Sequence, residues 1–232
     1  MRLTQSFESI VLIIRSTTIM GDRPTRQSIA DAAESLFGER GFVGTSLRQI
    51  TDKAGVNLAA VNYHFHSKED LYRQVLFGRL RPINAERLAL LAQAEQLAGD
   101  HPVPFRAVLD TFVRPWLRHA SEPASGGILS LRLLSRELID PQPFLQDELA
   151  RELEPLMTRY TQVLGSSLPG VPPPELFWRL QFSLGTLLSM AVRWQDLHRV
   201  AFGPGAKSGG EDSVRRLIGF CAAGLEALRT SA

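Results

Sequence analysis

Asn57, Ala59, Asn62 and Tyr63 fall within one short stretch, N-L-A-A-V-N-Y-H-F from Asn57, at spacings that a helix turns to one side. A carboxamide can pair with an adenine edge, a phenol can reach a phosphate, and alanine lets a helix approach a groove closely. This group therefore offers recognition of duplex DNA rather than bond breaking. Asn62 is the residue suited to reading an adenine edge. Thr45, Ser46, Tyr63 and Lys68 offer hydroxyls and an ammonium group to phosphates, and His64 beside them either joins that face or packs inside.

Catalytic and metal chemistry find no comparable grouping. Of His64, His66, His101, His119 and His198, no two lie three or four apart with a third ligand nearby, so no metal is expected. Gly203-Pro-Gly-Ala-Lys-Ser208 lacks the glycine before the lysine and the strand of a phosphate loop, and reads as an interhelical loop. Asp147, Glu148, Glu152 and Glu154 read as a solvated helix face. The chain has no G-x-S-x-G element, and Cys221 has no basic neighbour to activate it. The expectation is a protein that is not an enzyme and carries no cofactor.

The elements that must position the first group are two short helices at a tight corner. Thr45 is placed to cap the first, with Leu47, Ile50 and Ala54 on its buried face. Gly55 stops it, Asn57 caps the second, and Leu58, Val61 and Phe65 turn inward. Before the corner, Thr25 to Arg40 reads as a bracing helix with Ile29, Ala32, Ala33, Leu36 and Phe37 inward and Gly41 at its end. After it, Ser67 and Asp70 form a capping box opening a long helix, which Gly78 and Pro82 should kink or interrupt before Ile83 to Leu97. Such a helix would link two bodies and transmit between them.

Downstream the periodicity is helical throughout, near Val103 to Ala120 with a bend at Pro115, Gly127 to Leu138, Phe144 to Gly165, Pro173 to Val200 and Glu211 to Thr230. The chain of 232 residues, 44% hydrophobic, can bury a substantial core, and no run approaches the ~18 apolar residues of a membrane helix. The formal charge of +2 is too slight to demand a polyanionic partner, so any phosphate-facing patch must come from local placement. One cysteine excludes an internal disulfide and suits a reducing cytoplasm.

Taken together, I-x-x-A-A-x-x-L-F from Ile29, Gly41-Phe42, T-S-x-x-x-I-x-x-x-A-G-V from Thr45, and H-F-x-S-K-x-x-L ending at Leu71 resemble the TetR family of one-component transcriptional regulators. Asn62 stands where many relatives carry the first of an aromatic pair, so the phosphate contact usually made from there is not carried over. The later L-S-R-E-L with Asp140-Pro141, and P-P-E-L-F-W-R-L-Q-F, resemble the C-terminal half of a subgroup that includes fatty-acid-responsive repressors.

The resemblance implies an all-α chain: an N-terminal three-helix helix-turn-helix DNA-binding domain, residues 21–81, and a C-terminal helical ligand-binding and dimerisation domain, residues 82–232. Residues 1–20 read as a disordered or extraneous leader, residues 1–19 being extraneous if translation begins at Met20; a DNA-binding arm is the other reading. The implied function is a cytoplasmic homodimeric repressor, released from a palindromic operator in double-stranded DNA by a small apolar effector. A helical carrier or adaptor that ignores DNA is the alternative.

The effector is expected among Phe105, Phe112, Trp116, Tyr160, Trp178 and Phe182, with the head of a fatty acyl or aromatic acid near Arg132 or Arg136. The two-fold interface is expected on the last two helices, at Leu184, Gly185, Leu188, Phe220, Ala223 and Leu225. No membrane partner is expected.

Overall fold

The computed structural model describes residues 25–121, 127–203 and 211–229, so the expectations for the leader and for the loop beyond Gly203 lie outside the described residues. Regular structure among the described residues is helical. Residues 25–40 form α1, followed by α2 (Leu47–Ala54), α3 (Leu58–Phe65) and α4 (Lys68–Ala98). Then come α5 (Phe105–Ser121), α6 (Gly127–Ile139), a 3-10 turn (Pro143–Leu145), α7 (Gln146–Ser167), α8 (Pro173–Phe202) and α9 (Glu211–Arg229). The fold is all-helical. Among the described residues, no helix is long and apolar enough to cross a membrane.

The chain divides into two compact units, one reaching Val75 and one starting at Leu76. In the first, Ile29, Ala33, Phe37, Ile50, Val61, Phe65, Leu71 and Tyr72 form a dry core, with the Phe37 and Tyr72 rings edge to face at 4.7 Å. In the second, α5 packs against α6, α7, α8 and α9, which explains why Val108, Leu109, Phe112, Val113 and Trp116 are all fully enclosed.

Among the described residues, three helices carry an internal proline: Pro82 in α4, Pro115 in α5 and Pro155 in α7. The expected interruption of α4 does not occur. Gly78 and Pro82 both lie on its exposed side, so the carbonyl that loses its partner to Pro82 can turn to water instead of breaking the helix.

Candidate nucleic-acid interface and interior cavity

Ser46, not Thr45, caps α2. The Gln49 N–H donates to Ser46 Oγ at 3.2 Å and the Ser46 N–H donates to Gln49 Oε1 at 2.9 Å, a complete capping box. Thr45 is 2% exposed, and its hydroxyl lies 2.9 Å from the Gly41 carbonyl and 3.2 Å from that of Leu36. A hydroxyl spent on the end of α1 cannot hold a phosphate, which corrects both roles expected of Thr45. The cause is the left-handed Gly41 (φ 74°), which folds the following residues back against α1. The fit is close enough that a Cβ on Gly44 would stand 2.5 Å from the Arg40 carbonyl.

Gly55 (φ 68°) ends α2, and Asn57 caps α3 by accepting the Ala60 N–H at 2.9 Å. Asn57 is exposed; its Oδ1 serves that cap, and its amide nitrogen remains a donor for another partner. Val61 and Phe65 are buried; Ala59, Asn62 and Tyr63 are exposed, with Tyr63 at 70%. Leu58, expected inward, is half exposed, because it opens the helix and lies one turn before Asn62 on the outward face. His64 is half-buried, its ring near those of Tyr63 and Phe65.

The α3–α4 corner turns on His66, whose φ of 61° and ψ of −47°, with the Ser67 N–H donating to the Phe65 carbonyl at 2.6 Å, describe a γ-turn. Only half of the expected capping box forms there. Ser67 Oγ accepts the Asp70 N–H at 3.0 Å, while the Asp70 carboxylate pairs with Arg73 at 2.6 Å. Lys68 is half-buried with its Nζ 4.1 Å from the centre of the Phe42 ring, so its stem and charge also brace the corner. Arg48, exposed on the first turn of α2, was missed in the sequence. A signal existed: a cation near a helix N-terminus opposes the helix dipole, and an anionic partner would justify it.

The second unit contains a cavity of about 750 Å³. Phe112 and Trp116 line it, but Phe105, Arg132, Arg136, Tyr160, Trp178 and Phe182 do not. Arg136 is exposed and Arg132 half-buried. Tyr160 is buried with its hydroxyl 3.1 Å from both the Arg87 carbonyl and Thr111 Oγ1; burial pushes its pKa up to about 12. Phe105 is half-buried at the start of α5. Trp178 and Phe182 point away from the interior, 55% and 60% exposed. His119 faces Glu86 at 3.1 Å. Besides Glu154, Thr158, Thr161, Gln162 and Gln181, the polar lining includes Arg87, which is passed over in the sequence because one arginine in an amphipathic helix ordinarily reads as surface.

The sequence profile described as bacterial regulatory proteins, tetR family, matches residues 29–75, and that of the tetracyclin repressor-like C-terminal domain matches residues 110–224. The chain belongs to the TetR family. Its curated relatives include the HTH-type transcriptional regulator RutR of Escherichia coli K12, 32% identical over 136 residues, 57% of this chain and 56% of RutR. Another is the HTH-type transcriptional repressor KstR2 of Rhodococcus jostii RHA1, 36% identical over 84 residues, 33% of this chain and 41% of that one. The chain thus spans just over half the length of RutR. A TetR family regulator of Marinobacter aquaeolei VT8 shares the fold, with a TM-score of 0.59 at 15% identity over 87% of this chain and 95% of the other. TetR proteins are DNA-binding regulators of transcription, not enzymes.

Within this TetR chain, the residues expected at a two-fold interface divide. Leu188 and Leu225 are buried in the unit's own core, 2% and 1% exposed, because they lie on the faces of α8 and α9 turned toward the other helices. Leu184 is half-buried and lines the cavity. Gly185, Ala223 and Phe220 are exposed, Phe220 at 69%. Trp178 and Phe182, assigned to the ligand, lie outward on α8 and stack with ring centres 6.0 Å apart.

Proposed function

We propose that this TetR protein works as a homodimer that binds a palindromic operator through α3 and leaves it when a small ligand of largely apolar character occupies the cavity of the second unit. The DNA reading is carried by one observation: Ala59, Asn62 and Tyr63 stand exposed together on a helix whose start is capped and whose opposite face is buried. Asn62 reads a base edge. Ser46, Tyr63, Lys68 and Arg48 contact phosphates, and Leu58 adds an apolar contact of the kind that a thymine methyl accepts.

The ligand reading is supported by the cavity's size, within the range of roughly 300–1,000 Å³ usual for small-molecule sites. Release needs a coupling of only about 1–3 kcal/mol between the two sites. The continuous α4, which contributes to both units, supplies a covalent route for it.

The full chain should shift a subset of pooled genomic DNA fragments at moderate salt. On the selected sequence, Asn62→Ala should relax base preference at one position per half-site, at a cost of roughly 1–3 kcal/mol. An unchanged preference profile would show that α3 presents another face. No binding to any duplex would favour a helical carrier or adaptor instead.

A further inference from the structure

Arg87 is 1% exposed, and among the described residues no carboxylate forms an ion pair with it. Its Nε donates to the Phe112 carbonyl at 2.8 Å and its Nη1 lies 3.5 Å from Asn84 Oδ1. Its guanidinium stands 4.1 Å from the centre of the Phe112 ring and 4.9 Å from that of Trp116. These contacts satisfy part of its hydrogen-bonding capacity, and the two rings attract its charge without neutralising it. Arg87 Nη2 has no partner, nor have Trp116 Nε1 and Asn84 Nδ2. These three orphans belong to neighbouring side chains, and all are N–H donors. What the site lacks is an acceptor.

Arg87 and Trp116 both line the cavity, whose remaining wall is largely apolar, including Leu153, Leu156, Met157 and Phe177. Burial lowers the Arg87 pKa to about 9, with Tyr160 as a weaker opposing influence, so the group is still a cation at neutral pH. The three orphan atoms are closed to water as the side chains stand, so solvent gives them neither a partner nor a counter-charge. A buried, unanswered cation is a costly feature that a bound anion would relieve.

We propose that the cavity takes an amphipathic monocarboxylic acid whose carboxylate is held by the Arg87 guanidinium, with the Trp116 indole N–H as a second donor and the apolar body along α7 and α8. This deepens the effector reading above and rests on it. One cation matches one negative charge, whereas a phosphate dianion would leave a buried excess. Glu154, exposed and in the same wall, opposes a second acidic group on the ligand.

The test compares two acid and amide pairs of different body shape, decanoate with decanamide and 3-phenylpropionate with its amide, on the full chain. Dissociation constants come from calorimetry, and operator binding is followed by anisotropy in parallel. In the unaltered protein at least one acid should bind about tenfold or more tighter than its amide, as expected for charge-assisted hydrogen bonds. In Arg87→Met that ratio should collapse toward one while the amide keeps its affinity. The unliganded variant should melt no lower than the parent, since an unanswered buried charge has been removed; a purely structural arginine would show the reverse.

A ratio near one in the unaltered protein, or no binding of either acid at millimolar concentration, overturns the proposal even if Arg87→Met fails to fold. A ratio that persists in Arg87→Met overturns it as well. The effector reading fails separately: an acid that binds with the predicted ratio yet leaves operator binding intact upholds the Arg87 site and refutes release. Release by an amide as effective as its acid upholds the effector reading and refutes Arg87.

Discussion

Thr45 and Arg48 are three residues apart and behave oppositely. Both can bond a phosphate, but Thr45 is turned under α1 and its hydroxyl faces backbone carbonyls, while Arg48 stands in solvent. Thr45→Val should therefore lower stability by about 1 kcal/mol through a lost buried hydrogen bond, and leave the salt dependence of DNA binding unchanged in the folded protein. Arg48→Ala should leave stability nearly untouched, weaken binding to every sequence alike, and reduce the salt slope by about one unit. Urea denaturation and salt-titrated anisotropy of both variants check the pair. A flattened slope in Thr45→Val with unchanged stability would contradict the buried placement. The sequence could not separate Thr45 from Ser46, because either hydroxyl suits a cap. The choice is made by the left-handed Gly41, which sets where the chain re-enters the fold.

At the scale of elements, helix limits are largely legible, and so is the inward face of α1, but the faces of α8 are not. Gly41, Gly55, Asn57 and Ser67 mark ends because positive φ and cap geometry are properties of single residues. Burial depends on what lies opposite. In α8, Leu176, Leu180 and Leu187 turn inward while Trp178 and Phe182 turn out, so both faces are apolar and periodicity cannot say which is core. In α4 the sequence overstated two helix breakers that lie at exposed positions. Gly78 has open space around the point where a Cβ would stand, and its φ is not positive. Gly78→Ala should therefore stabilise the protein by about 0.5–1 kcal/mol, by reducing the freedom of the unfolded chain and favouring the helix. Thermal unfolding of the variant measures it. A lower melting temperature would mean that the glycine serves a contact outside this chain.

At the scale of the whole molecule, the two-fold reading requires a surface, and burial decides which residues can supply one. Two α3 helices reading one palindrome must sit about 34–36 Å apart, so a loosely tethered pair would not suffice. Leu188 can contribute nothing to that surface, since it is enclosed within its own unit. Phe182, with Trp178 stacked beside it on α8, and Phe220 on α9 expose large apolar area that a second copy would cover. Leu188→Asp should accordingly unfold the second unit by placing an uncompensated charge in its core, not dissociate intact subunits. Phe182→Asp should keep its helical circular dichroism and melt as one folded species, yet sediment as a monomer at micromolar concentration. It should also lose most of its affinity for the full operator while binding an isolated half-site as weakly as the parent does. If Phe182→Asp remains a dimer with full operator affinity, the two-fold contact lies on another face, and the outward aromatic pair of α8 needs a different partner.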